Sequence, residues 1–286
     1  MAEAVGGIHV VIGARAGTGR ELIKRLCEQP KEVVSEIRGI MRDTSNIPEE
    51  LRDLKDSRVK YFKGDVTLSE TLDDPFEGAL IVYFCASASP PGPKYREVDE
   101  LGVKNAAEVA LRKGVIRFIL ISSQLVHPSN KWNFVRILLN NIIGRDVMDA
   151  KYAGEQHLRR SGLVYTIIRP GRLTDAPIGK ARVHVGQTNS RFTAPGSSGS
   201  RISRADLADI CLAAALSDDC KNVTFEVAAE SLPSKSELES TTSTMADGAC
   251  KATQVTSPLT TRRQSVDRND VFGFKVLSSV WDDEMV

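Results

Sequence analysis

Net charge of either sign is almost absent: 38 lysines and arginines stand against 37 aspartates and glutamates, leaving +1. Such a balance excludes a global field able to hold nucleic acid or an anionic membrane non-specifically, so any anion site must be local. Aromatic residues make up only 6% of the chain, and no basic stripe with interleaved aromatics occurs. Nucleic-acid binding is therefore not expected. The five cysteines, Cys27, Cys85, Cys211, Cys220 and Cys250, are scattered, with no C-x-x-C and no nearby histidine pair. Neither a disulfide framework nor a metal site is expected, and the compartment should be reducing. The longest apolar stretch, residues 79–88, falls short of the roughly 18 to 20 residues that a membrane-spanning helix needs, so no membrane span is expected and the stretch reads as a buried strand. The first residues lack a basic flank, an apolar signal core and a cleavage site. A cytoplasmic location is expected, with the chloroplast as the alternative should a transit peptide have preceded this sequence.

What remains is an ordinary globular composition, 41% hydrophobic and 26% charged over 286 residues. That length allows one large domain or two small ones. Short apolar runs alternate with helical patterns: IHVVIG before TGRELIKRLCEQ, then EIRGIM, VKYFKGDV, ALIVYFCAS before VDELGVKNAAEVALRKG, RFILISSQLV, and VYTIIRPG. Near-continuous Val, Ile and Leu strands separated by helices are what a parallel sheet buried on both faces requires. The expected fold class is α/β, doubly wound, with a mostly parallel sheet. Leu22, Ile23, Leu26 and Cys27 form one helical stripe; Asp99, Leu101, Val103, Ala106, Ala107, Val109, Ala110 and Leu111 form a second pattern, read here as packing and ended by Gly114 as a C-cap. Residues 1–230 are expected to be the main domain. From Ser231 to Ser265, 14 of 35 residues are Ser or Thr with almost no aliphatic periodicity, so residues 231–286 are expected to be a largely disordered tail. Within it, RRQS (Arg262 to Ser265) has the spacing basophilic kinases read, which leaves room for a kinase or a protein partner; the plain alternative is a solvated tail. VFGFKVLSSVW at the end is expected to return as an edge strand.

The chemistry-bearing motif is VVIGARAGTGREL, with Gly13, Ala14, Arg15, Ala16, Gly17, Thr18 and Gly19 between a strand and a helix. A sharp turn needs a residue without a side chain at Gly13, a pyrophosphate would approach the backbone near Ala16 and Gly17, and Gly19 lets the helix sit close to the sheet. Free N–H groups at the helix start would face the phosphates. The spacing is G-x-x-A-x-x-G, with Ala16 where a glycine is more usual; a plain βα turn is the alternative. The second strand ends at Met41 and Arg42, where an NAD site would offer a carboxylate to the ribose 2′-hydroxyl. Arg42, with Arg15 opposite, instead suits a 2′-phosphate, so NADP is the expected cofactor; a surface pair between Arg42 and Asp43 is the alternative. Asp65 and Val66 follow the third strand where an adenine would lie, with Asp65 either accepting from its amine or capping the next helix.

These residues resemble the atypical short-chain dehydrogenase/reductases of the NmrA-like NAD(P)-binding kind, a Rossmann-like group that includes biliverdin and flavin reductase-like proteins and plant chloroplast relatives. The resemblance covers about residues 7 to 230 and rests on VIGARAGTG, IMRD, GDV, the run from Val98 to Ser123, SRADLADICLAAAL and, most specifically, DAKYAGEQHLRRSGLVYTIIRPGRL. It implies that Cys85, Ala86 and Ser87 line the cofactor ribose and phosphates, that Ser122 and Ser123 lie near the nicotinamide, that Lys151 bonds the nicotinamide ribose, and that Pro170 to Leu173 border the nicotinamide. Each has a plain reading as a small core, strand-end or solvated residue.

One departure bears on mechanism. In orthodox relatives a tyrosine four residues before the lysine handles the proton; here that position is Val147. Tyr152 adjoins Lys151 but points about 100° away on the helix, so it does not simply replace the missing phenol. His127, in QLVHPSN, stands near the expected mouth and titrates in a useful range, or is a loop side chain. The expected function is an NADP-dependent oxidoreductase moving hydride between NADPH and a small carbonyl, flavin, quinone or tetrapyrrole-like substrate, with Lys151 and Ser123 as its catalytic residues and the proton coming from water or substrate. The alternative is a non-catalytic NADP-binding redox sensor or scaffold; a nucleotide-sugar epimerase is poorer, since that chemistry leans on the absent tyrosine. Residues 174–202 are expected to form a mobile substrate cover, whose Arg182, Arg191 and Arg201 greet an acidic substrate or are solvated.

Overall fold

The computed structural model describes residues 6–15, 17–88, 94–140, 146–179, 181–186 and 201–231. Every strand expected from the apolar runs is present: β1 Gly7–Ile12, β2 Val34–Met41, β3 Val59–Lys63, β4 Ala79–Phe84, β5 Arg117–Ile121 and β6 Tyr165–Pro170. The sheet then continues through β10 Val223–Ser231, β9 Arg201–Ser203 and β7 Arg172–Thr174, with β8 Ala181–Gly186 also pairing β10. The order 3-2-1-4-5-6-10 is parallel throughout, and its direction of growth reverses between β1 and β4. β8 and β9 pair antiparallel with β10, so the sheet is mixed at this edge.

Alternation along each central strand feeds two cores. Val11, Ile81, Tyr83 and Ile119 face one side with α1 (Gly17–Cys27) and α7 (Arg204–Leu216), whose Leu22, Ile23, Leu26, Leu207 and Cys211 are wholly buried. Val10, Ile12, Val82, Phe84 and Phe118 face the other with α4 (Val103–Arg112) and α6 (Val147–Arg159). Both strand faces are therefore apolar, which is why these segments read as continuous hydrophobic runs. Gly114, at φ +71°, follows the last turn of α4 as expected of a left-handed cap. Short helices α2 (Glu49–Arg52), α3 (Asp73–Phe76) and α5 (Phe134–Leu138) complete the described α-helices.

Within the stretch 174–202, β8 and β9 complete the edge of the last long strand as antiparallel partners, and β7, which ends at Thr174, pairs with β9 in parallel. Arg182 lies on β8 and Arg201 opens β9, where it is exposed; Arg191 falls outside the described residues. The strand β10 was not anticipated at all. Val223, Phe225 and Val227 alternate with Thr224 and a fully buried Glu226, and that acid hides the strand in the sequence. The tail, RRQS and VFGFKVLSSVW lie outside the described residues.

Candidate functional site

The turn after β1 is built around groups that a side chain would displace. Gly13 has φ +81°, and its N and that of Ala14 both donate to Ile40 O at 3.1 Å. A Cβ on Gly13 would lie 2.9 Å from Ala86 N at the end of β4, and one on Gly19 only 2.3 Å from Gly13 O. The roles expected of these two glycines, a tight turn and close helix-to-strand packing, are the ones the backbone shows. Ala14 is buried and Thr18 nearly so, while Ala16 lies outside the described residues. The first N–H groups of any α-helix have no intrahelical acceptor, and here they belong to the turn that Gly13 opens.

Beside this turn, at the carboxyl ends of β1 to β4, is a cleft of about 580 Å³. It gathers Gly13, Arg15, Arg42, Asp65, Val66, Cys85, Ala86 and Ser87 from four separate stretches of sequence. Arg15 Nη1 donates to Asn46 O at 2.7 Å, and Arg42 is exposed at the rim. Asp43, which also lines the cleft, is held by Ser45, whose Oγ and N donate to Asp43 Oδ1 at 2.6 and 2.9 Å; those bonds, with Arg15 and Lys63 nearby, hold its carboxyl below the usual range. The Arg42–Asp43 pair does not form among the described residues. Asp65 Oδ1 accepts from Thr67 Oγ1 at 2.8 Å and Thr67 N at 2.9 Å, so one carboxylate oxygen serves its own turn, closer to the capping alternative than to an open acceptor. The Cys85 thiol is pushed up to about 12 by burial and holds its proton at neutral pH.

Ser87 leads to the other half. Its Oγ donates to Asp99 Oδ1 at 2.8 Å, and Ala88 N donates to Asp99 Oδ2 at 3.0 Å. Asp99 is 2% exposed, on a π-helical turn (Arg96–Gly102) that runs into α4. Lys151 Nζ on α6 donates to the same Oδ1 at 2.6 Å. Gly154 permits this approach, since a Cβ there would lie 2.1 Å from Asp99 O. The reading of Asp99 as one member of a packing stripe is thus corrected: it is the carboxylate that holds Lys151 and ties it to the end of β4.

The loop after β5 carries Ser122, buried, and Ser123, half-buried. Leu125 follows in the left-handed region at φ +67°, a strained position for a leucine. The buried Arg136 holds that shape, donating to Leu125 O at 2.8 Å and Val126 O at 2.6 Å and also to His127 O, while its other amine meets Asp149 on α6. His127 Nδ1 accepts from Ser129 N at 3.2 Å, and its ring meets Tyr152 edge-on at 5.7 Å. Val147 is buried with Val126 and Met148 and presents only methyl groups. Beneath, Arg169 Nε and Nη2 donate to Glu155 Oε1 and Oε2 at 3.0 and 2.7 Å, with both side chains buried. Burial alone would raise the Glu155 carboxyl, but the Arg169 bonds outweigh it and hold the group below its usual range. Pro170, which ends β6, accepts from Gln124 N at 2.9 Å, and Leu173 packs half-buried against the core. Asp99, Arg136 and Glu155 were missed as site-building residues; the only sequence signal was an acid or arginine among otherwise apolar helical positions. Among the described residues no group of three His, Cys, Asp or Glu is placed to hold a metal ion, and no helix is long and apolar enough to cross a membrane.

A doubly wound sheet with a glycine turn at its switch point defines a dinucleotide-binding class of fold. The chain belongs to the NAD(P)H-binding family, which it matches over residues 13–218. It is similar to a chloroplastic protein of Arabidopsis thaliana, 27% identical over 172 residues, covering 58% of this chain and 59% of that protein. This chain thus matches about three-fifths of that relative's length. It is also similar to the sanguinarine reductase of Eschscholzia californica, 25% identical over 264 residues, covering 79% of this chain and 91% of that one. Among solved structures, the anaerobillin reductase of Escherichia coli shares the fold with a TM-score of 0.61 and 21% identity, covering 80% of this chain and 99% of that chain.

Proposed function

We propose that the protein is an NADP-dependent oxidoreductase that reduces a small carbonyl, flavin, quinone or tetrapyrrole-like acceptor. The observation that carries this reading is the pairing of a glycine turn too tight for any Cβ with two arginines, Arg15 and Arg42, at the rim of the adjoining cleft. A 2′-phosphate would meet guanidinium donors there, and Asp43, the nearby acid, is engaged by Ser45. Gly13 through Gly19 would take the pyrophosphate, Val66 and Asp65 the adenine side, and Cys85, Ala86 and Ser87 the ribose. Pro170 and Ser122 would border the nicotinamide. When bound, NADPH supplies the hydride. Lys151, fixed by Asp99, would hold the nicotinamide ribose, and Ser123 would donate to the acceptor oxygen or nitrogen. No phenol stands at position 147, so the proton would come from water or from the substrate, which suits acceptors whose reduced form protonates in solvent. The reductases among the similar proteins support this direction of chemistry. Residues 1–230 would form the working domain and 231–286 an appended tail, and the chloroplastic relative lends weight to that compartment.

A second reading, an NADP-binding sensor without turnover, is favoured by Val147, whose buried methyl groups replace the proton donor. The two separate in one assay. Incubation with NADPH and a panel of flavins, quinones and biliverdin should consume NADPH with at least one acceptor, and Ser123→Ala should slow it. Tight coenzyme binding without consumption across the panel would leave the sensor.

A further inference from the structure

Arg204 opens α7, yet its side chain does not lie along its own helix. Its Nε and Cδ stand 3.5 and 3.7 Å from the point that a Cβ on Gly17 would occupy, where Gly17 begins α1 with φ +59°. Its stem therefore crosses the mouth of the glycine turn. The tip is held elsewhere: Nη1 donates to Asp175 Oδ1 at 2.7 Å, in the loop after β7. Asp175 is 84% exposed and Arg204 28%, so this pair is bathed in water and readily exchanged. The base of the side chain is not so free. Ser203 Oγ accepts from Asp206 N at 2.9 Å and donates to Asp206 Oδ2 at 2.6 Å, and Gly179 N donates to Asp206 Oδ1 at 2.8 Å. The start of α7 is thus fixed while the guanidinium can swing.

A fixed stem beside the first amides of α1, ending in a planar fork of donors, matches phosphate oxygens. We propose that Arg204 is a ligand of the coenzyme pyrophosphate, exchanging Asp175 for a phosphate oxygen when the dinucleotide binds. This rests on the NADP reading above, but it concerns a different group from Arg15 and Arg42, which stand at the adenosine end. It has a consequence that a merely structural ion pair lacks: the two partners act on affinity with opposite sign, because Asp175 competes with the phosphate for the same guanidinium.

Calorimetric titration of the full chain decides it. Arg204→Gln should raise the Kd for NADPH and for NADH by the same factor, about tenfold, and leave that for adenosine 2′-monophosphate, which has no pyrophosphate, unchanged. Asp175→Asn should tighten NADPH binding about twofold to threefold, the size expected on releasing an exposed pair. Wild-type-like NADPH affinity in Arg204→Gln, or weaker binding in Asp175→Asn, would overturn the assignment while leaving the NADP reading intact. Should Arg204→Gln fail to fold, the sign of the Asp175→Asn effect still settles the matter. A wild-type chain that bound no coenzyme would overturn both.

Discussion

On the β1–β2 side of the switch point the candidate site is made by leaving atoms out, and on the β5–β6 side by burying charges. Gly13 and Gly19 bring backbone within contact of backbone, and the cleft there is lined by small and apolar residues together with Arg15, Arg42, Asp43 and Asp65. Across Ser87 the materials change to Asp99 with Lys151 and Glu155 with Arg169, and to a buried Arg136 that reaches the exposed Asp149. A glycine turn costs little when its conformation is met. A buried ion pair stands only while both partners stay. The two halves should therefore fail differently: the glycine side in affinity alone, the charged side in stability, with coenzyme affinity following where a pair holds Lys151.

The largest effect is expected on the charged side. Glu155→Gln leaves Arg169, 1% exposed, without its carboxylate. Denaturant unfolding should show a loss of about 3 to 5 kcal/mol; a loss below about 1 kcal/mol would mean the pair is not what holds α6 on the sheet. Next is acid sensitivity. Burial lowers the His9 pKa from 6.5 to about 4, so the folded chain refuses a proton that the unfolded chain takes. Stability from this group should fall as pH drops from 6.5 towards 4, by on the order of 3 kcal/mol in all. Asp209, raised to about 6, works in the opposite sense, its contribution growing as pH falls through 6. Glu155, held low, loses its contribution only below the usual carboxylate range. His9→Phe should thus flatten the slope between pH 6.5 and 4; an unchanged slope would remove His9 from the account. Third, Arg42→Asp should cut the preference for NADPH over NADH by about tenfold or more without moving the unfolding midpoint. The smallest expected effect sharpens the contrast: Asp99→Asn should weaken both coenzymes about equally, by roughly threefold to tenfold, through loss of the Lys151 anchor. A change in the NADPH to NADH ratio there would show that the halves are not separate.

The same contrast explains what the sequence made legible. The packing roles of Gly13 and Gly19 follow from spacing, because the turn is local and each depends on neighbours within one βαβ unit. The six parallel strands follow from runs of Val, Ile, Leu and aromatic residues that stand out even where β2, β3 and β6 carry a charged residue. Asp99 and Lys151 are 52 residues apart and meet only because Gly154 lets α6 approach the π-helical turn; no local pattern announces that. Arg136 and the strained Leu125 depend on a loop closing over 11 residues. The strand β10 was hidden by Glu226, since a buried acid breaks the apolar run that marks a central strand.

The most direct measurement is the pair of binding isotherms for NADPH and NADH on the wild-type chain. Saturable binding of NADPH is expected with a Kd at least about tenfold below that of NADH, the worth of charged hydrogen bonds to one added phosphate. Equal affinity for the two would contradict the placement of Arg15 and Arg42 around a 2′-phosphate, and no heat with either would contradict the coenzyme site itself.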